Sequence, residues 1–256
     1  PFSLQPSELA KIGIILFLAA YISSKSREMR QWKKMVIPFL FAIPIIVIVG
    51  IENLSTCIIL LAISFIMIFV ATPLLVPFVV IGLIGVAGAG GLLLTQGYRM
   101  ERITVWLDPA ASEKGHQTIQ GLYAIGSGGL FGKGLGQSMQ KLGFLPEANN
   151  DMIFSVICEE LGLFGALCVL ALFFALIWRF MVIAVNAPDL YGSMIVVGVI
   201  AHIGIQVFIN IAVATNTIPN TGIPLPFISY GGSSLVFMLL EMGLVLSVSR
   251  YINVKK

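Results

Sequence analysis

Charge is what this sequence has least of. Among its 256 residues 11% are charged and 58% hydrophobic, where soluble domains carry roughly 25% charged residues. The mean hydropathy is +1.00. This shortage excludes a water-soluble domain, whose helices need polar outer faces. The net charge of +3 is small and its basic residues gather at segment ends. No basic stripe interleaves with aromatics, so nucleic acid is excluded as a partner. Cysteine is scarce too. Cys57, Cys158 and Cys168 lie in or beside apolar segments; odd in number and without CxxC spacing, they read as packing residues. GxxxxGK[ST], GxSxG and HExxH are all missing, which removes support for ATP hydrolysis, esterase and zinc-protease chemistry. The glycines of 126–136 form no strand-to-helix fingerprint.

What the sequence does have is long apolar runs. They lie at about 8–23, 35–51, 54–72, 74–95, 152–184, 190–214 and 233–251, of the length with which helices span a bilayer's hydrocarbon. The expected fold class is all-α, a polytopic membrane helical bundle forming one integral membrane domain over 1–256. Seven crossings place the termini on opposite sides. Lys25, Arg27, Arg30, Lys33, Lys34, Arg179, Arg250, Lys255 and Lys256 mark their ends as cytoplasmic by the positive-inside rule. Pro1, the turn near Glu52, the segment 97–151 and the turn 215–232 then face outward, although Arg99, Arg102, Lys114, Lys133 and Lys141 run against a strict count. No signal peptide is expected ahead of Ser7. Opening at Pro1 without Met, the chain is expected to be a fragment.

The segment 97–151 is too long for an idle connection. Ile103, Val105, Trp106, Leu107, Leu122, Tyr123, Ile125, Leu130, Phe131, Leu142 and Phe144 supply apolar anchors, and glycines between 126 and 136 let the backbone turn tightly. A structured loop folding back over the helices is expected.

Polar residues inside apolar segments need partners. Glu8 and Lys11, three apart on one helix face, can neutralise each other or wall an outward-opening cavity. Glu52 reads as a turn residue or helix N-cap. His202, Gln206 and Asn210 recur every four residues, an arrangement suited to hydrogen bonds between helices and, without nearby carboxylate or thiol, not to a metal. Glu241 reads as a satisfied polar contact. Asp151, where the long loop meets the fifth segment, suits an N-cap; a carboxylate at that positive helix end also remains available as a base or cation ligand. Glu159 and Glu160 lie roughly 12–14 Å further along the helix, too far to pair with it as acid and base.

Three blocks together resemble the SEDS family of peptidoglycan polymerases, the FtsW, RodA and SpoVE group. They are Gln5-Pro6-Ser7-Glu8-Leu9-Ala10-Lys11; Phe144-Leu145-Pro146-Glu147 through Asp151-Met152-Ile153-Phe154 with Glu159-Glu160-Leu161-Gly162; and PNTGIPLPFISYGGSS from Pro219 to Ser234. The resemblance covers essentially the whole chain, matching about the last seven of the family's usual ten helices. Gly134 to Lys141 leading into Phe144 to Ala148 is most similar to the FtsW and SpoVE type. Two departures stand out. Asn149-Asn150 replaces the family's His-Thr before the aspartate, and Asn53-Leu54-Ser55-Thr56 replaces Pro-Asp-Leu-Gly-Thr.

The resemblance implies a glycosyltransferase of the bacterial cytoplasmic membrane that polymerises lipid II into glycan strands during division or septal and spore wall synthesis. It makes Asp151 the essential carboxylate, as general base or ligand of a divalent cation such as Mg or Mn. Glu8 and Lys11 would line a cavity, with Glu52, Lys141, Glu147, Ser229, Tyr230, Ser233 and Ser234 as further substrate contacts. For the last four, turn and cap chemistry is the competing reading. Expected partners are undecaprenyl-diphosphate-linked glycan, a class B penicillin-binding protein, divisome proteins and membrane lipids. A lipid II transporter and a non-catalytic scaffold are the competing functions. No internal repeat of the alternating-access kind is visible.

Overall fold

The computed structural model describes residues 5–72, 82, 97–112 and 115–252. Among them are eight long α-helices: α1 (Pro6–Ser24), α2 (Trp32–Glu52), α3 (Leu54–Ala71), α4 (Gly97–Leu107), α5 (His116–Gly128), α6 (Ile153–Val185), α7 (Leu190–Ala214) and α8 (Gly232–Arg250). All but α4 and α5 are long and apolar enough to cross a membrane. They match six expected segments to within a few residues. The segment expected at 74–95 lies outside the described residues. The chain is a multi-pass membrane protein, divided into two compact units.

The first unit comprises residues 1–82, 175–205 and 232–256. Here α1, begun by Pro6, whose fixed φ suits a first helical turn, packs against α2, α3 and α8. Leu18, Leu60, Ile63 and Met67 are fully buried in this unit. Helix α7 comes close to α1 and α3 because residue 198 is glycine: a Cβ there would lie 2.6 Å from Ile15 Cγ2 and 3.0 Å from Met67 Sδ. His202 Nδ1 and Glu241 Oε2 meet at 2.9 Å between α7 and α8, the helix-to-helix bond expected of His202 and the polar contact expected of Glu241. The N-cap of α3 is Asn53, whose Oδ1 accepts from the Thr56 amide at 3.0 Å. Glu52 is therefore no cap. It ends α2 and is exposed.

The second unit comprises residues 83–174 and 206–231. The long loop is largely structured, holding α4, α5 and two short 3₁₀ turns at Pro109–Ala111 and Gln140–Leu142. It runs against a break in α6. Gly162 sits at φ 69°, ψ −167°, a region essentially closed to other residues. The groups released by the break are taken up by the loop. The amides of Leu163 and Phe164 donate to Gly129 O (2.9 Å) and Leu130 O (3.1 Å), and those of Lys133 and Gly134 donate to Glu159 O and Glu160 O, both at 2.9 Å. Two carboxylates complete the clasp. Glu159 accepts from Lys133 Nζ at 2.7 Å and Ser138 Oγ at 2.5 Å, and Glu160 from the Gly136 amide at 2.9 Å and Lys141 Nζ at 2.5 Å. Several expected anchors of the loop are not buried: Leu107, Leu130, Phe131, Leu142 and Phe144 are all exposed. Backbone hydrogen bonds and ion pairs, rather than those apolar side chains, fasten the loop.

Candidate functional site

A cavity of about 440 Å³ opens in the second unit. Glu101, Arg102, Val105 and Trp106 of α4 form one wall and Gln117 and Thr118 of α5 another; Glu147, Asp151, Asn216, Asn220 and Gly222 close it. Helix α4 is tied to the turn after α7. Trp106 Nε1 donates to Asn216 O at 3.0 Å, and Arg102 Nη1 to Asn220 O at 3.3 Å.

Gln206 and Asn210 serve the same turn. Gln206 Nε2 donates to Pro224 O at 3.0 Å, and Asn210 Nδ2 to both Asp151 O (2.7 Å) and Ile223 O (2.8 Å). The expectation of helix-to-helix bonds is corrected for these two residues. Their amides satisfy irregular backbone, which apolar surroundings would otherwise leave unpaired at a cost of a few kcal/mol per group. Asp151 thus has its main chain fixed from below by α7.

Its side chain is fixed by a directed relay. The Gly222 amide can only donate, and it donates to Asn220 Oδ1 at 3.0 Å. Asn220 Nδ2 therefore faces Gln117 Oε1, at 3.1 Å. Gln117 Nε2 in turn donates to Asp151 Oδ1 at 3.4 Å. One backbone N–H thus sets the orientation of two side-chain amides that could otherwise be turned either way. Oδ2 is left on the side of Gly222, where φ is +68° and a Cβ would stand 3.9 Å from that oxygen.

Asp151 is only 7% exposed, and burial raises its carboxyl from the usual 3.8 to about 6. Its own backbone amide opposes the rise, Glu147 adds repulsion, and Gln117 and Arg102 pull the other way. A carboxyl held there changes charge near neutrality, as a general base requires. The carboxylate bonds to Gln117 and not to first-turn amides of α6, so capping is not its role.

The other expected site residues are dispersed. Glu147 joins Asp151 in the cavity wall. Its φ is +53°, and Asn150 Nδ2 donates to its Oε2. Lys141 is absent from that wall, since Glu160 holds its ammonium. Ser229 is occupied by backbone: its Oγ donates to Asn150 O and accepts from the Leu225 amide, both at 2.6 Å. Tyr230 anchors through its main chain, its amide donating to Asn149 O at 2.8 Å, while its ring is exposed. These two serve the turn, as the competing reading had it. Ser233 and Ser234 begin α8, in the first unit. Glu8 and Lys11, also there, pair at 2.8 Å within α1 and are buried, with Glu8 Oε2 unpartnered. Glu52 is in the same unit. Among the described residues no three His, Cys, Asp or Glu converge as a metal-binding set.

Sequence reading missed Gln117, Asn216 and Asn220 as site residues. A faint signal existed for Gln117. Gly121, Ala124 and Gly128, spaced by three and four, form the buried face of α5, and Gln117 continues that face by one turn toward Asp151.

Comparison with known proteins agrees with this architecture. The family model described as "Cell cycle protein", for FtsW, RodA and SpoVE, matches residues 1–254. Stage V sporulation protein E of Bacillus subtilis (strain 168) is 48% identical, the match covering 98% of this chain and 69% of that protein. The probable peptidoglycan glycosyltransferase FtsW of Geobacter sp. (strain M18) is 36% identical over 97% of this chain and 69% of its own. Among solved structures, a chain reported under "Structural coordination of polymerization and crosslinking by a peptidoglycan synthase complex" superposes with TM-score 0.79 at 28% identity, covering 99% of this chain and 72% of that one. Thermus thermophilus Rod shape determining protein RodA gives 0.68 at 29% identity, covering 99% and 68%. With matched sequence running almost end to end and the same helical architecture, this chain belongs to the FtsW/RodA/SpoVE family.

Proposed function

We propose that the chain is a peptidoglycan glycosyltransferase that polymerises lipid II with Asp151 as general base. The observation that carries this reading is the buried carboxyl itself, held near 6 with one oxygen restrained and the other toward the cavity. In the step proposed, Asp151 Oδ2 takes the proton of the acceptor sugar's 4-hydroxyl. The acceptor's 4-oxygen, relieved of its proton, forms the new bond to the donor's anomeric carbon as the bond from this carbon to the lipid diphosphate breaks. The diphosphate departs with the electron pair, and the Arg102 guanidinium in the wall favours its growing charge.

A divalent cation, Mg or Mn, stays a separate proposal. The carboxylates of Glu101, Glu147 and Asp151 line the cavity without forming a ligand set. Loss of polymer on chelation, restored by Mg or Mn, would support a cation requirement.

The solved relative belongs to a peptidoglycan synthase complex that coordinates polymerization with crosslinking, which supports a class B penicillin-binding protein as partner. In this reading the second unit's loop faces the outer surface and the C-terminus the cytoplasm, where the basic residues of the 23–34 turn also lie. The test supplies labelled lipid II to the purified protein with its cognate transpeptidase. Glycan chains from wild type, lost in Asp151→Asn, support the assignment. Undiminished polymer from Asp151→Asn would remove the base. Lipid II crossing vesicles without polymer would promote a transporter instead.

A further inference from the structure

Leu130 and Phe131 are 65% and 82% exposed on a loop that is otherwise tightly fastened. A large apolar side chain bared at a rigid position marks a contact surface rather than idle slack. The place of these residues is fixed by backbone. Leu130 O accepts from the Phe164 amide and Gly129 O from the Leu163 amide, at the break in α6. Beyond the break, residues 163–185 alone make roughly 34 Å of helix at 1.5 Å per residue, enough to cross the hydrocarbon. The head of that span is Leu163 and Phe164, themselves 52% and 65% exposed. Loop and span head therefore present one continuous apolar surface.

Charge marks the level of this surface. Glu159 and Glu160, the turn before the break, take Lys133 and Lys141 from the loop, placing an ion-paired clasp on the head of a run that carries no charge as far as Arg179. This is the sequence of layers at a membrane boundary, where aromatic and aliphatic side chains enter the lipid below charged groups.

We propose that residues 130–135 form an interfacial wedge, with Leu130, Phe131 and Leu135 inserted among phospholipid acyl chains beside the head of the 163–185 span. The occupant is bilayer lipid. Continuity with the exposed head of an apolar helix long enough to cross the hydrocarbon favours lipid over a partner protein. The wedge would hold the loop, and with it Asp151, at a constant height above the membrane.

The experiment replaces Phe131 by the photoreactive, similarly shaped p-benzoylphenylalanine in the chain reconstituted in phosphatidylglycerol/phosphatidylethanolamine nanodiscs, with the same residue at Leu163 as reference. Irradiation is expected to give phospholipid adducts at 131 in yield comparable to that at 163, read by mass spectrometry. Adducts at 163 with none at 131 would overturn the proposal. So would irradiation in native membranes that joins residue 131 to another protein in place of lipid. As a second variant, Phe131→Ser is expected to retain the fold by circular dichroism and to lower lipid quenching of a fluorophore placed at Leu135. Unchanged quenching would count against the wedge. Neither readout depends on glycan synthesis, so both stand apart from the assignment of Asp151.

Discussion

Gln117 donates to Asp151 Oδ1 at 3.4 Å while Asn220 grips the other end of the same amide at 3.1 Å. This makes Gln117 a positioning residue. Its hydrogen bond favours the ionised carboxylate, so Gln117→Ala is expected to raise the carboxyl above about 6. The acid limb of the pH–rate profile should move to higher pH, with roughly tenfold loss of rate near neutrality. A loss of rate with the limb unmoved would reduce Gln117 to a structural role.

Asp151→Asn should abolish polymerisation by roughly 10²–10⁴-fold, the usual contribution of a general base. Its effect on stability should be the reverse. The folded carboxyl titrates near 6 against 3.8 unfolded, so between those values the folded state binds more protons and stability falls as pH rises. At about 1.36 kcal/mol per pH unit the full cost is about 3 kcal/mol above pH 6, and it vanishes below pH 4. The variant should unfold at a higher temperature than wild type at pH 7.5, with the gap closing toward pH 4. A gap independent of pH would contradict the buried carboxylate.

Gly162→Ala should be severe. A Cβ there would stand 2.3 Å from Gly132 N and 2.6 Å from Leu130 O, at a φ of +69°. Strain and overpacking together amount to roughly 3 kcal/mol or more. Thermal unfolding in detergent and proteolysis within 129–141 would show it, with the loop cut first.

Glu159→Gln tests the clasp more gently. The carboxylate is fully buried, but Lys133 is 36% exposed, so solvent screens the pair. A loss of roughly 1–2 kcal/mol is expected, with faster amide exchange at Met139 and Gln140, whose N–H groups also point at Glu159. Unaltered exchange would deny the carboxylate its part in holding the loop.

The membrane architecture was legible in the hydropathy of the chain. Apolar runs long enough to cross a bilayer leave the backbone no option but helix, and six helices lie where those runs lie. The sequence also marked the polar stripe of α7, because a period of four on a helix defines a face, whereas the position of Asp151 alone left it open between cap and free carboxylate, and resemblance to the family made it the essential one. What those groups touch emerged only from the folded chain. Hydrogen-bond partners such as Gln117 and Asp151, or Asn210 and Ile223, are far apart along the chain or joined through an irregular turn, and no periodicity encodes such meetings. For the same reason the sequence over-counted the site. The Lys141 ammonium and the Ser229 hydroxyl are suitable for a sugar diphosphate in composition, but Glu160 and the 225–229 turn had already claimed them. Glu159 and Glu160, excluded as an acid–base pair with Asp151 by helical rise, acquired a role once the broken helix placed the loop against them.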